Sequence, residues 1–162
     1  MSGLEQLYQQ VILDHARERH GEGLLDADPG AAMVGESFQV NPTCGDEVRL
    51  RVQLADAPDG GSPVIEHVSW DGVGCSISRA SLSVLTDLVE KGSVRDADAL
   101  SETFRALMSN RGAPLPLEQE ETLGDAAVFV GVARFPARIK CALLGWMALR
   151  DAVALALTGP TA

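Results

Sequence analysis

Between positions 48 and 54 the side chains alternate without interruption. Val48, Leu50, Val52 and Leu54 are apolar, while Arg49, Arg51 and Gln53 between them are polar. A period of two is a strand with one face buried and one face wet, and a helix cannot use such a pattern. Turn chemistry brackets the strand. Asn41-Pro42-Thr43-Cys44-Gly45-Asp46 precedes it and Pro58-Asp59-Gly60-Gly61 follows it. A shorter strand signal at 37–40 lies before the first turn. Another at 64–70 lies after the second and runs into Asp71-Gly72-Val73-Gly74. Three consecutive strands joined by short turns predict an antiparallel meander.

The remaining segments read as helix. Leu4, Leu7, Tyr8, Val11, Ile12 and His15 recur at three- and four-residue intervals, which predicts a helix ending near Arg19, with Gly21 and Gly23 stopping it and a loop over 24–32. Beyond the strands, 76–89 carries Ile77, Leu82, Leu85 and Leu88 and closes at Lys91-Gly92. A charged stretch at 93–116 holds a weak helix marked by Leu100, Phe104 and Leu107. A short apolar piece follows at 124–132, and Phe135-Pro136 opens the last long helix, where proline suits the first turn. Strands first and helices afterwards predict an α+β fold, a three-stranded antiparallel sheet packed against helices.

Composition narrows the function classes. The chain has 162 residues, 46% hydrophobic and 22% charged, as expected of one domain with a real core. Its net charge of −10 argues against nucleic acid or an anionic membrane as partner and favours a protein with a complementary positive face. Three cysteines cannot all pair internally, and residues 1–10 lack the charged and apolar regions of a secretion signal, so a reducing, cytoplasmic setting is expected. The longest apolar stretch, 141–157, is interrupted by Arg150 and Asp151 and reads as a core helix.

The chemistry concentrates in four residues: Cys44 and Asp46 across a glycine, Cys75 after Gly-Val-Gly, and Cys141 inside the last helix. Together they form an S₃O donor set able to close around zinc. Cys75 enters a helix, where free amides and the helix dipole favour a thiolate. Arg138 lies one turn before Cys141 and can balance the −2 charge of zinc with three thiolates and a carboxylate. A carboxylate is a harder, more exchangeable zinc donor than a thiolate, so such a site suits opening. On spacing alone, three unrelated buried cysteines remain an equal alternative, because no CxxC pair is present. His15, His20 and His67 are weaker candidates for a fourth ligand. Ser76 and Ser78 read as helix-start residues, and Trp70 and Trp146 as core. No GxSxG, P-loop or Rossmann fingerprint occurs.

Four segments in this order resemble the NifU-N/IscU family of iron–sulfur cluster assembly proteins, and within it the SufU type. They are Leu7-Tyr8-Gln9-Gln10-Val11-Ile12-Leu13-Asp14-His15, Asn41-Pro42-Thr43-Cys44-Gly45-Asp46, Gly72-Val73-Gly74-Cys75-Ser76-Ile77-Ser78, and the run from Phe135 through Arg138, Lys140 and Cys141 to Trp146. Scaffold-type members carry histidine where this chain has Lys140 and lack a segment like 93–116, so both features point to the SufU type. The turn His20-Gly21-Glu22-Gly23 departs from an Asn-Pro-Arg-like turn common in relatives. The resemblance implies a single domain over 1–162 with an insertion at about 93–116. It implies zinc held by Cys44, Asp46, Cys75 and Cys141, and persulfide sulfur accepted on Cys44 from a PLP-dependent cysteine desulfurase, SufS, the PLP belonging to the partner. Downstream SUF assembly proteins are the implied recipients. The alternatives are a scaffold holding iron or a [2Fe-2S] cluster at the same residues, and a binding module with purely structural zinc.

Overall fold

The computed structural model describes residues 3–31 and 33–158, so Ala32 of the expected loop and both chain ends lie outside the described residues. Helix α1 (Gly3–Glu18) precedes three strands, β1 (Met33–Asn41), β2 (Asp46–Ala55) and β3 (Val64–Val73), which pair antiparallel in the order β1-β2-β3. The meander is the one predicted, with β1 and β3 each longer than their apolar signals. The extra residues of β1 alternate less cleanly because its inward positions include Gly35 and Ser37. Gly35 is there because α5 (Pro136–Thr158) crosses the strand in contact: a Cβ would stand 1.9 Å from the Ala152 carbonyl oxygen. Ser37 instead donates to Asp151 at 2.7 Å.

Val48, Leu50, Val52 and Leu54 face inward and are buried, as their alternation requires. On the open face Glu36 sits opposite Arg51 and accepts two hydrogen bonds from its guanidinium, at 2.7 and 2.9 Å, with Arg49 adding a third at 2.9 Å. The outer edge of β3 is covered by the turn after α1. Trp70 N–H donates to the Gly21 carbonyl at 2.9 Å, and Gly23 N–H donates to the Trp70 carbonyl at 2.7 Å. The positive φ of Gly21 (+85°) and the Thr86 side chain, 2.8 Å from a hypothetical Cβ, explain the glycine.

Helices α2 (Ser76–Val89), α3 (Val94–Met108), α4 (Leu117–Leu123) and a 3₁₀ segment (Gly124–Arg134) lead to α5. The weak helix expected within 93–116 is a full one, capped by the Ser93 hydroxyl accepting from Asp96 N–H. Its signal is faint because few of its residues face the core, yet those few are fully buried. Phe104 stacks on Trp146, with centroids 4.9 Å apart, and meets Phe129 edge to face at 5.8 Å. Helix α5 is long and apolar enough to cross a bilayer, but Ala142, Leu144, Trp146, Leu149 and Ala152 are buried inside the protein. It is the central helix of the core.

Candidate metal centre

The turn between β1 and β2 builds the first half of the site. Asn41 caps it locally, its side-chain oxygen accepting from Thr43 N–H at 3.1 Å and its carbonyl from Gly45 N–H at 2.8 Å. Gly45 adopts φ +75°, a left-handed conformation that glycine takes without strain. Cys44 is thereby exposed at the turn, while Asp46, the first residue of β2, is buried. Asp46 shares the even-numbered, inward register of Val48 and Leu50, so the same alternation that buries the core carries a carboxylate under the sheet's end.

The second half comes from two helix starts. Cys75 is the N-cap residue of α2, with its backbone N–H donating to Asp46 Oδ1 at 3.3 Å and its thiol to Oδ2 at 3.5 Å. Gly74 makes this approach possible, since a Cβ there would lie 3.2 Å from Asp46 Cγ and 3.1 Å from Ser78 Cβ. Cys141, early in α5, is buried, with Sγ 3.6 Å from Cys44 Sγ and 3.6 Å from the Ala137 carbonyl oxygen to which it donates. Metal-binding atoms of Cys44, Asp46 and Cys141 lie within 4.8 Å of one another, and Cys75 touches the group through Asp46.

These spacings can be compared with those of a zinc tetrahedron. Bonds of about 2.3 Å to sulfur and 2.1 Å to oxygen place neighbouring donors about 3.8 Å apart for S···S and about 3.6 Å for S···O. The structure has 3.6 Å between Cys44 and Cys141 and 3.5 Å between Cys75 and Asp46. These two spacings match those of neighbouring zinc donors; Cys44, Asp46 and Cys141 form the compact group, and Cys75 joins it through its contact with Asp46.

The electrostatics of the cluster are set by its burial and by its internal hydrogen bonds. Burial works against the Asp46 carboxylate, but hydrogen bonds from Ser78 and the three thiols outweigh it and hold its pKa below the usual carboxylate value. Burial pushes the Cys141 thiol well up, and the neighbouring Asp46, Cys44 and Cys75 push it further, so the metal-free thiol keeps its proton.

Ser78 has a role that its sequence context hid. It reads as a helix-start residue, yet its hydroxyl donates to Asp46 Oδ2 at 2.5 Å from a buried position and lies 3.8 Å from Cys75 Sγ. The available signal was its spacing, one helical turn after Cys75 and hence on the same face. Arg138 is exposed, its guanidinium 5.8 Å from the Phe135 ring centroid, and among the described residues it makes no hydrogen bond or ion pair to the four donors. The three histidines find partners elsewhere: His15 with Ser83 and Asp125, His20 with Asp87 and Glu18, and His67 with Asp28.

Comparison with known proteins gives consistent matches over nearly the whole chain. The model of the NifU-like N terminal domain matches residues 7–153. The zinc-dependent sulfurtransferase SufU of Bacillus subtilis (strain 168) is 37% identical over 153 residues, covering 94% of this chain and 93% of that protein. The iron–sulfur cluster assembly scaffold protein IscU of Streptococcus pyogenes serotype M1 is 38% identical over 154 residues, covering 94% and 86%. Among solved structures, a candidate SUF-system assembly scaffold, FiSufU from thermophilic Fervidobacterium islandicum AW-1, superposes with a TM-score of 0.68 at 27% identity, covering 93% of this chain and 99% of that one.

Proposed function

This chain belongs to the family of NifU-like N-terminal domains, and from that premise we propose that it is a zinc-dependent sulfurtransferase, accepting persulfide sulfur from a cysteine desulfurase for iron–sulfur cluster assembly. One observation carries the reading: the inequality of the thiols around Asp46. Cys44 and Cys75 are both exposed and Cys141 is buried in α5, but Cys75 is tied through its backbone N–H to Asp46 at the start of α2, whereas Cys44 stands on a turn with a left-handed glycine beside it. A purely structural site has no need of an exposed ligand on a turn or of a carboxylate.

Cys44, Asp46, Cys75 and Cys141 are the proposed ligands. Zinc, when bound, keeps its thiol ligands deprotonated at neutral pH. The chain's own residues divide the remaining work. Ser78 and the Cys75 amide orient the Asp46 carboxylate, and the starts of α2 and α5 hold Cys75 and Cys141 in place. Cys44 is the residue that can swing outward. Its thiolate attacks the outer sulfur of the partner's cysteine persulfide; the partner's S–S bond breaks, a new S–S bond forms on Cys44, and the partner cysteine leaves as thiolate. Arg138, near this edge in sequence, is proposed to offset the site's negative charge. SufS is the proposed donor, with PLP on its side of the interface, and downstream SUF assembly proteins are the proposed recipients. The whole chain, 1–162, is taken as one such domain working in the cytoplasm, with the SufU-type addition at about 93–116.

Mass spectrometry after reaction with desulfurase and cysteine tests the assignment. The added sulfur is expected on Cys44 and is expected to vanish in Cys44→Ser. Sulfur on Cys75 or Cys141, with Cys44→Ser still active, overturns it. A second reading, a scaffold that carries iron or a [2Fe-2S] cluster on the same residues, is favoured by the 38% identical relative named as IscU. Metal analysis and a visible spectrum of anaerobically purified protein separate the two: colourless zinc protein supports transfer, and brown iron protein supports the scaffold.

A further inference from the structure

Where the end of α1 meets the last turns of α2, two imidazoles and three carboxylates converge. His20 Nδ1 is 2.7 Å from Asp87 Oδ2, and its Nε2 is 3.0 Å from Glu18 Oε2. His15, buried, has Nδ1 2.8 Å from Ser83 Oγ and Nε2 2.9 Å from Asp125 Oδ2. The two rings meet edge to face at 5.4 Å. Among the described residues, no lysine or arginine pairs with Asp87, Glu18 or Asp125; the neighbouring Arg17 and Arg19 pair with Asp14 and Glu22.

The niche is rich in acceptors: both nitrogens of His20 and one of His15 face carboxylate oxygens. A divalent ion bound there takes lone pairs of the imidazoles and of Asp87 and supplies positive charge beside the carboxylates. One ligand atom each of His15, His20 and Asp87 already lies within 4.8 Å of the others. Donors of a tetrahedral ion with bonds of about 2.0–2.2 Å stand about 3.3–3.6 Å apart, so the side chains must rotate inward to close the set.

We propose that His15, His20 and Asp87 form a second divalent-metal site, distinct from the cysteine cluster and selective for first-row ions that favour nitrogen and oxygen ligands. Glu18 is within reach as a further oxygen donor. His15 gives up one hydrogen bond to take part: exposed Asp125 is the partner that can move away, and fully buried Ser83 stays to hold the ring. Ser83 also accepts from the backbone N–H of His20 at 3.0 Å, so one hydroxyl orients the His15 ring and ties down the backbone that carries His20. The exposed flank of His20 and Asp87 leaves the remaining positions to water. Two imidazoles with a carboxylate suit Zn²⁺, Co²⁺, Ni²⁺ or Fe²⁺ rather than Mg²⁺ or Ca²⁺. Asp87 stands roughly 1.5 Å per residue, about 18 Å in all, along α2 from Cys75, so the two centres share no ligand.

The test uses the tag-free full chain loaded with one equivalent of zinc and then titrated with Co²⁺. One further equivalent of cobalt is expected, with weak d–d bands and no thiolate-to-cobalt charge-transfer absorption. His20→Ala and Asp87→Asn are each expected to weaken that equivalent by about tenfold or more while leaving the zinc in place. Asp87→Asn keeps the side-chain shape and guards against a folding effect. Absence of a further equivalent, uptake unchanged in both variants, or a charge-transfer band showing cobalt on the cysteines would each overturn the proposal.

Discussion

Replacing Ser78 by alanine isolates the one hydroxyl that supports the Asp46 carboxylate. In the native chain Asp46 Oδ2 accepts from Ser78 Oγ at 2.5 Å, whereas the Cys75 N–H contact to Oδ1 is long, at 3.3 Å. A hydrogen bond to a charged group contributes about 1.5–3 kcal/mol. Removing this one therefore destabilises the metal-free chain by that amount, which at about 2–4 °C per kcal/mol for a chain of this size lowers Tm by about 3–12 °C. The effect carries a pH signature. The Asp46 pKa is depressed in the fold, so its stabilising contribution is present above the unfolded value and is lost as pH falls through the folded value. The gap between Ser78→Ala and the parent is therefore full at neutral pH and narrows on acidification below about pH 4. Thermal unfolding under reductant across that range measures it, and chelator competition on the zinc-loaded proteins should show a site weaker by about 10–100-fold, the cost of losing an outer-shell partner. Equal Tm at neutral pH together with equal zinc affinity would refute the idea that Ser78 positions the carboxylate.

Two further predictions follow from burial. Because burial, then Asp46 and the neighbouring thiols, keep the Cys141 thiol protonated in the metal-free chain, zinc loading must expel protons and its apparent affinity must rise with pH; calorimetry in buffers of different ionisation enthalpy reads the number released, and a value of zero contradicts the electrostatics. Phe104→Ala should cost about 3–5 kcal/mol in urea unfolding, since the ring is fully buried between Trp146 and Phe129; a loss below about 1 kcal/mol would mean that α3 is an appendage and not part of the core.

Much of the site was legible because its parts are local. The turn at 41–46, the glycines before Cys75 and the proline opening α5 each announce a specific backbone, and each carries one donor. Asp46 was legible as Cys44's neighbour across a glycine, while its burial as the even-numbered continuation of the inward face of β2 appeared only in the structure. Less visible were groups whose role depends on a distant partner. Ser78 looks like any serine in a first helical turn until Asp46 is brought against it, and α3 looks weak until Trp146 and Phe129 close over Phe104.

The alternation, the turns and the helical periods by themselves determined that a meander precedes helices, because period and turn geometry are properties of a few consecutive residues. Which donors come within bonding distance was decided only in three dimensions. The 3.6 Å approach of Cys44 to Cys141, across 97 positions of chain, depends on α5 crossing the sheet where Gly35 leaves room for the Ala152 carbonyl. The same is true of His20, whose local sequence gives no hint that Asp87 and Glu18 will face both sides of its ring. Packing sets these distances, and packing is a property of the whole core, so no short stretch of the chain encodes them.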